Sequence, residues 1–168
     1  MARQVPIVAI LMIVQGALEG LAGALFLVAA FVVPPLLEEA ARQQPAGLPM
    51  LPETFKQFAM AIYLALGAVA LVAAPLRIVA GIRNLSYRGR GLGLTALFVG
   101  GLSMLTCYCA PTSLGLMIYG LIVYFNEETA WAFRLGEQGM STEEVKKRLE
   151  ERRRAVREID QPDRWTDA

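Results

Sequence analysis

The chain of 168 residues contains no histidine, and this absence removes several classes of chemistry at once. Histidine is the commonest general base near neutral pH and the commonest protein ligand for metals. Every Ser-His-Asp arrangement for nucleophilic catalysis also requires it. Cysteine is scarce as well, since only Cys107 and Cys109 occur. The composition therefore argues against most hydrolases and most metal centres, and we expect neither an enzymatic activity nor a cofactor.

Charged residues are almost absent from three long stretches. Residues 5–33 contain only Glu19, residues 57–82 contain only Arg77, and residues 91–126 contain no Asp, Glu, Lys or Arg. About 20 apolar residues are enough for a helix to cross a hydrocarbon core about 30 Å thick. The first stretch is twice the usual length of a signal-peptide core, so we interpret it as a retained helix. With 55% hydrophobic residues and a mean hydropathy of +0.45, the chain is predicted to be an integral membrane protein.

The third stretch is too long for one crossing. As a single helix it would measure about 54 Å, and Pro111 is well placed to begin a new helix after a turn at 107–113. Four transmembrane helices are therefore predicted, at about 6–33, 57–82, 91–108 and 112–133. This arrangement places thirteen Lys and Arg residues on one side and only Arg42 and Lys56 on the other. Because basic residues favour the cytoplasmic side, both termini are predicted to be cytoplasmic.

The predicted fold is an all-α bundle, with a transmembrane domain in residues 1–136 and a cytoplasmic amphipathic helical tail in residues 140–168. Ser141 and Glu144 have the spacing of a capping box, so a helix is expected to begin there. Charged pairs four residues apart would help this helix stand alone. Its apolar residues follow a short and broken coiled-coil-like spacing. They are Val145, Leu149, Val156 and Ile159.

Two charged residues within the apolar stretches form the first candidate site. Glu19 lies about twelve residues into the first helix, where an ionised carboxylate costs several kcal/mol. Gln15 lies one turn away on the same face, and Arg77 enters from the cytoplasmic end of the second helix. These three residues are predicted to form an intramembrane polar cluster. It would be a proton or cation pathway, a structural ion pair, or a protonated Glu19 hydrogen-bonded to Gln15.

Small residues recur at steps of three and four along the first three predicted helices. Such stripes let helix backbones approach closely within a membrane. The stripe on the third helix ends at Cys107, which would pack there as a small hydrophobe. The glycines predicted to pack helices together are Gly16, Gly20, Gly23, Gly67, Gly93 and Gly100.

Cys107 and Cys109 form the second candidate site, as a possible redox pair. The first interpretation is that both pack at the corner between the third and fourth helices. A disulfide is the second, although a bridge across one intervening residue is strained. The third is a soft site for Cu(I) that also uses Met104. We expect no bound metal, because two thiols and one thioether make an incomplete set.

The chain resembles small four-helix membrane proteins of bacteria in topology and composition, and an inner-membrane location is expected. Our preferred hypothesis is a non-enzymatic scaffold or accessory subunit. Two alternatives stay open: a small transport or channel protein using Glu19, Gln15 and Arg77, and a redox or metal-handling protein using Cys107 and Cys109. Expected partners are the lipid bilayer, a second copy or another membrane protein, and a cytoplasmic partner for the tail. Basic and acidic side chains balance in that tail, so nucleic acid is not expected.

Overall fold

A computed structural model describes residues 2–42, 53–102 and 110–159. Every regular element in these ranges is helical and no β-strand occurs in them, so the all-α prediction is confirmed. A short 3-10 helix, Ala2–Gln4, leads into six α-helices. They are α1 (Val5–Arg42), α2 (Glu53–Leu85), α3 (Arg90–Leu102), α4 (Ala110–Phe125), α5 (Glu127–Glu137) and α6 (Thr142–Ile159).

Two of the described helices are long and apolar enough to cross a membrane. They correspond to α1 and α2, and each has a mean hydropathy of 2.2 over its most apolar window. Their lengths of 38 and 33 residues correspond to about 57 Å and about 50 Å of helix. The described parts of α3 and α4 contain 13 and 16 residues, fewer than the roughly 20 residues of a typical crossing. Two membrane-spanning helices are therefore indicated by length and composition.

Helices α1 and α2 pack as a long antiparallel hairpin, which is the most extensive helix contact in the structure. Small residues bring the two backbones together. A Cβ atom added to Gly23 would lie 3.0 Å from the Cβ of Ala70, and one added to Gly67 would lie 2.8 Å from the Cδ2 of Leu27. Real Cβ atoms rarely come so close, so larger residues would force these helices apart.

Helix α1 continues beyond its predicted end at residue 33 and runs through Pro34 and Pro35 to Arg42. Each proline removes one backbone donor from the helical hydrogen bonds. In the turns of α1 before the prolines, Ala30 is fully buried and the Phe26 ring lies 6.2 Å from the Tyr63 ring of α2 between centroids. Helix α2 likewise exceeds its predicted range of 57–82 at both ends.

The predicted helix at 112–133 is divided into α4 and α5 at Asn126. The Oδ1 atom of Asn126 accepts a hydrogen bond from the backbone N–H of Glu128 at 3.0 Å, which makes Asn126 the N-cap of α5. Glu127 and Glu128 follow in the first turn, where negative charge is favoured by the helix dipole. The sequence Asn-Glu-Glu is a helix-start signal that could have predicted this break.

One end of the bundle is closed by a structure that we call the cap, formed by Ala2–Gln4, the loop 86–89, α5 and α6. The capping box predicted for α6 is confirmed, since Ser141 N donates to Glu144 Oε2 at 2.8 Å and Glu144 N donates to Ser141 Oγ at 3.3 Å. Val145 and Leu149 are buried within the same core as residues of α1, α2, α3 and α4. The tail helix is therefore packed against the bundle rather than standing alone.

Candidate functional site

The structure brings Glu19 and Arg77 together between α1 and α2. The Nη1 atom of Arg77 lies 2.8 Å from the Oε1 atom of Glu19, and the two side chains are only 3% and 2% exposed. Gly16 makes room for this contact, because a Cβ atom added there would lie 3.1 Å from the Cβ of Arg77. The result is a buried ion pair that crosses the α1–α2 interface.

Gly100 of α3 provides the third wall around the pair. A Cβ atom added to Gly100 would overlap the guanidinium group of Arg77. The sequence identified Gly100 only as a glycine that packs helices together, whereas the structure places it directly against the Arg77 guanidinium. Its missing side chain leaves the space that the Arg77 head group occupies, so three helices meet at this ion pair.

Gln15 is also buried, and its side chain reaches the fourth helix. Its Nε2 atom donates a hydrogen bond to the Oγ atom of Ser113 on α4. Both residues are buried, with exposed fractions of 7% for Gln15 and 2% for Ser113. The sequence analysis missed Ser113, although a hydroxyl in an otherwise apolar helix was a signal for such a bond. Gln15 therefore connects α1 to α4, one helical turn from the ion pair.

A third polar group lies closer to the cap. The Nδ2 atom of Asn84 donates to the hydroxyl oxygen of Tyr124 and lies 3.9 Å from the Sδ atom of Met12. Gly93 admits this arrangement, since a Cβ atom there would lie 2.6 Å from Asn84 Nδ2 and 2.7 Å from the Tyr124 hydroxyl. Helices α1, α2, α3 and α4 therefore meet at this group, which sequence reasoning did not find.

Tyr87, in the loop between α2 and α3, joins the helical bundle to the cap. It is buried and adopts a left-handed backbone conformation, with φ of 52°. Its ring meets Phe133 of α5 edge-on, at 6.1 Å between centroids. Its backbone carbonyl lies so close to Gly136 of α5 that any side chain there would overlap it. The positive φ is uncommon for a tyrosine, so this packing holds the loop in a conformation of higher energy.

Glu128 of α5 joins three of the four parts of the cap, because it contacts both the first residues and α6. Its Oε1 atom lies 2.5 Å from Arg153 Nε of α6, and its Oε2 atom accepts from the backbone N–H of Ala2 at 3.4 Å. The hydrogen bond from Arg153 lowers the pKa of the Glu128 carboxyl to about 2, against the opposing effect of burial. A second ion pair, Arg3–Glu150 at 2.6 Å, also ties the first residues to α6.

The remaining predicted residues divide into two groups. Gly20 packs in the α1–α2 interface, where an added Cβ atom would lie 3.3 Å from the Cβ of Ala74. Cys107, Cys109 and Met104 lie outside the described residues, so their packing, disulfide and copper interpretations stay predictions. Within the described ranges, no three His, Cys, Asp or Glu side chains come close enough to hold a metal ion.

Known proteins give no family for this chain. No protein-family model, curated protein or solved structure matches it. Its function must therefore be argued from its own residues. The three polar groups in the bundle are the Glu19–Arg77 pair, the Gln15–Ser113 pair and the Asn84–Tyr124 pair. Each connects two helices, and all six residues are buried. Such an arrangement suits the positioning of helices, because it fixes which faces meet and at what depth.

Proposed function

We propose that this chain is a small multi-pass membrane protein with four crossing helices, α1 to α4, that serves as a non-enzymatic scaffold or accessory subunit. The closed ion pair between Glu19 and Arg77 carries the proposal. Charged groups on a conduction path face a water-filled cavity, whereas these two side chains are almost fully buried and neutralise each other. Their geometry favours a rigid bundle over a pathway.

The position of the cap supports the proposed topology. Arg3 pairs with Glu150, and the hydroxyl of Tyr87 donates to the carbonyl oxygen of Ala2 at 3.4 Å. The first residues, the loop between α2 and α3, and α6 therefore lie at one end of the bundle. These segments contain most of the basic residues, which favour the cytoplasmic side of a membrane.

The cap also offers a surface for a cytoplasmic partner. A cleft of about 690 Å³ lies between the start of α5 and the second half of α6. Glu127 supplies negative charge, Arg152 and Arg157 supply positive charge, and Val156 adds an exposed apolar contact. A mixed surface of this kind suits a protein segment better than a nucleic acid, which would favour uniform positive charge.

Membrane extraction and pull-down test the scaffold proposal directly. The tagged chain is isolated from its native membrane in mild detergent, and we expect it to retain a partner in fixed proportion. Arg157→Glu, in the cleft, should release a cytoplasmic partner. Lys147→Glu makes the same charge change on α6 outside this cleft and serves as the matched control. If both variants retained the partner equally, the cleft would not be the binding surface.

A flux assay separates the scaffold from the transport alternative. Wild-type protein and the Glu19→Gln/Arg77→Met variant are reconstituted in vesicles, and proton and cation leakage is compared with that of empty vesicles. We expect no added leakage from either protein. Flux in the wild type that disappears in the variant would refute the scaffold proposal and establish a conducting role for the pair.

A further inference from the structure

The cleft between the start of α5 and the second half of α6 carries an excess of positive charge. Its α6 wall supplies Arg152, Arg153 and Arg157, and its other wall supplies Glu127 and Glu128. Arg153 is paired with Glu128 at 2.5 Å. Two arginines and one glutamate remain, which gives the cleft a net charge of +1 beyond that pair. Both of these arginines are exposed.

Arg152 is positioned in the cleft by Trp131 of α5. Its Cζ atom lies over the Trp131 ring, 5.2 Å from the ring centre, which is a cation–π contact. An arginine held in this way keeps N–H groups at the edge of its planar guanidinium, and these match the two oxygens of a carboxylate. Beside it, Val156 is 51% exposed and adds an apolar surface. The cleft therefore suits a segment that combines carboxylates with a large apolar side chain.

The residues that follow α6 have this composition. Residues 160–168 lie outside the described residues, and their sequence is Asp-Gln-Pro-Asp-Arg-Trp-Thr-Asp-Ala. Three aspartates and one arginine give their side chains a net charge of −2, opposite in sign to that of the cleft. Trp165 supplies a large apolar surface, and the positive charge of Arg164 matches Glu127 of the cleft. The segment therefore complements the cleft in charge and in apolar surface.

The position of this segment in the chain brings it within reach of the cleft. Helix α6 ends at Ile159, two residues after Arg157. Pro162 cannot continue a helix and disfavours helical geometry at the residue before it, so the chain can reverse direction there. Residues 152–157 span about 7.5 Å along the helix axis, whereas residues 163–167 reach about 16 Å when extended. A short tether also holds the segment at a local concentration of the order of 1 mM, so weak contacts are sufficient.

We propose that residues 160–168 fold back along α6 and occupy the cleft as an internal ligand. Carboxylates of the segment pair with Arg152 and Arg157, and Trp165 packs against Val156. An outside protein segment must then displace this internal ligand before it can bind, so the chain itself limits access to its partner surface. That consequence rests on the proposed function, whereas occupation of the cleft does not depend on it.

Tryptophan fluorescence tests the occupation in the full chain. Trp131 and Trp165 are the only tryptophans, so Trp131→Phe leaves Trp165 as the single reporter and keeps an aromatic ring beside Arg152. Acrylamide, an uncharged quencher, should quench Trp165 less than it quenches a synthetic peptide of residues 160–168. In Arg152→Glu/Arg157→Glu, the loss of two charge pairs should lower the ratio of bound to free segment about tenfold. The quenching constant should then approach that of the peptide.

A matched control removes the same charges elsewhere on α6. Arg148→Glu/Arg154→Glu makes the same two charge changes at exposed positions outside the cleft, and it should leave the quenching of Trp165 unchanged. Equal quenching in the parent and the cleft variant would overturn the proposal. This includes the case in which a detergent micelle shields Trp165 in both proteins.

A peptide measurement separates this inference from the scaffold proposal. Ending the chain at Ile159 keeps every described helix and leaves the cleft open. A fluorescent peptide of residues 160–168 should bind this shortened chain about tenfold more tightly than the full chain, if the tethered segment fills nine-tenths of the clefts. A peptide of the same composition in scrambled order is the control.

Equal binding of the peptide to both chains, or of both peptides to the shortened chain, would overturn the occupation of the cleft. This measurement needs no outside partner. Peptide binding would therefore support the internal ligand even if pull-down found no partner. A shortened chain that retains a partner but does not bind the peptide would refute this inference and leave the scaffold proposal standing.

Discussion

Removing the charge of Glu19 should destabilise the bundle more than removing the charge of Arg77. Glu19→Gln leaves a guanidinium buried in a low-dielectric interior, and arginine cannot lose its proton in proteins. Breaking a buried ion pair in this way costs about 3–5 kcal/mol. Arg77→Met leaves a carboxyl group that can take up a proton and become neutral. Protonating an ordinary glutamate side chain at pH 7 costs about 4 kcal/mol, which sets an upper limit on that part of the loss.

The double variant Glu19→Gln/Arg77→Met leaves no buried charge and should be more stable than Glu19→Gln alone. Replacing both partners of a buried ion pair by uncharged groups often changes the free energy of unfolding little. The two losses should therefore be non-additive, by at least about 2 kcal/mol. This interaction free energy is the quantity that the direct contact at 2.8 Å predicts.

Gly100 supplies a structural check on the same pair. Gly100→Ala places a Cβ atom on the Arg77 guanidinium, and overpacking of this kind typically costs about 1–3 kcal/mol. In the Arg77→Met background the flexible thioether replaces the rigid guanidinium. Gly100→Ala should then cost less, which would show that the two positions touch.

The free energy of unfolding of all these variants can be measured from the loss of helical circular dichroism as sodium dodecyl sulfate is added to mild detergent micelles. Gly91→Leu is the control for a glycine substitution without a neighbour. Strictly additive losses for Glu19 and Arg77 would refute the ion-pair interpretation. A cost of Gly100→Ala that does not depend on residue 77 would refute the packing argument.

Three further predictions concern the rest of the chain. Replacing Cys107 and Cys109 by alanine should leave the protein folded and inserted, and metal analysis with thiol titration should find no bound copper or zinc; stoichiometric metal lost in the double variant would contradict this. The pKa of Glu128 falls from 4.5 to about 2 on folding, so its contribution to the stability of the fold is complete above pH 4.5 and is lost as the pH falls through 2. The stability of Glu128→Gln should lack this loss when the protein is titrated with acid. The same pH dependence in the variant and the wild type would contradict the role of Arg153. In a background with alanine at positions 107 and 109, Glu137→Cys should resist an impermeant thiol reagent in intact cells. Labelling of this variant from outside would contradict the proposed cytoplasmic location of the cap.

Much of the helical layout was accessible from sequence because it depends on short-range pattern. The long apolar stretches, with one charged residue each, predicted α1 and α2, and the spacing of Ser141 and Glu144 predicted the start of α6. Gly16 and Gly23 were identified by their repeat, since close helix contact requires small residues at steps of three and four. These features depend on residues within one or two turns of each other.

What only the tertiary structure decided is which distant residues meet. The pattern of α1 placed Gln15 beside Glu19, but its hydrogen bond to Ser113 depends on how α4 lies against α1. The importance of Gly100 depends on the length and direction of the Arg77 side chain, which comes from another helix. Helix α6 has the composition of a solvated helix, yet its Arg153 side chain pairs with Glu128 of α5. These two residues are 25 positions apart in the chain. A one-dimensional pattern records the chemistry of each side chain, whereas these contacts arise from the relative placement of whole helices.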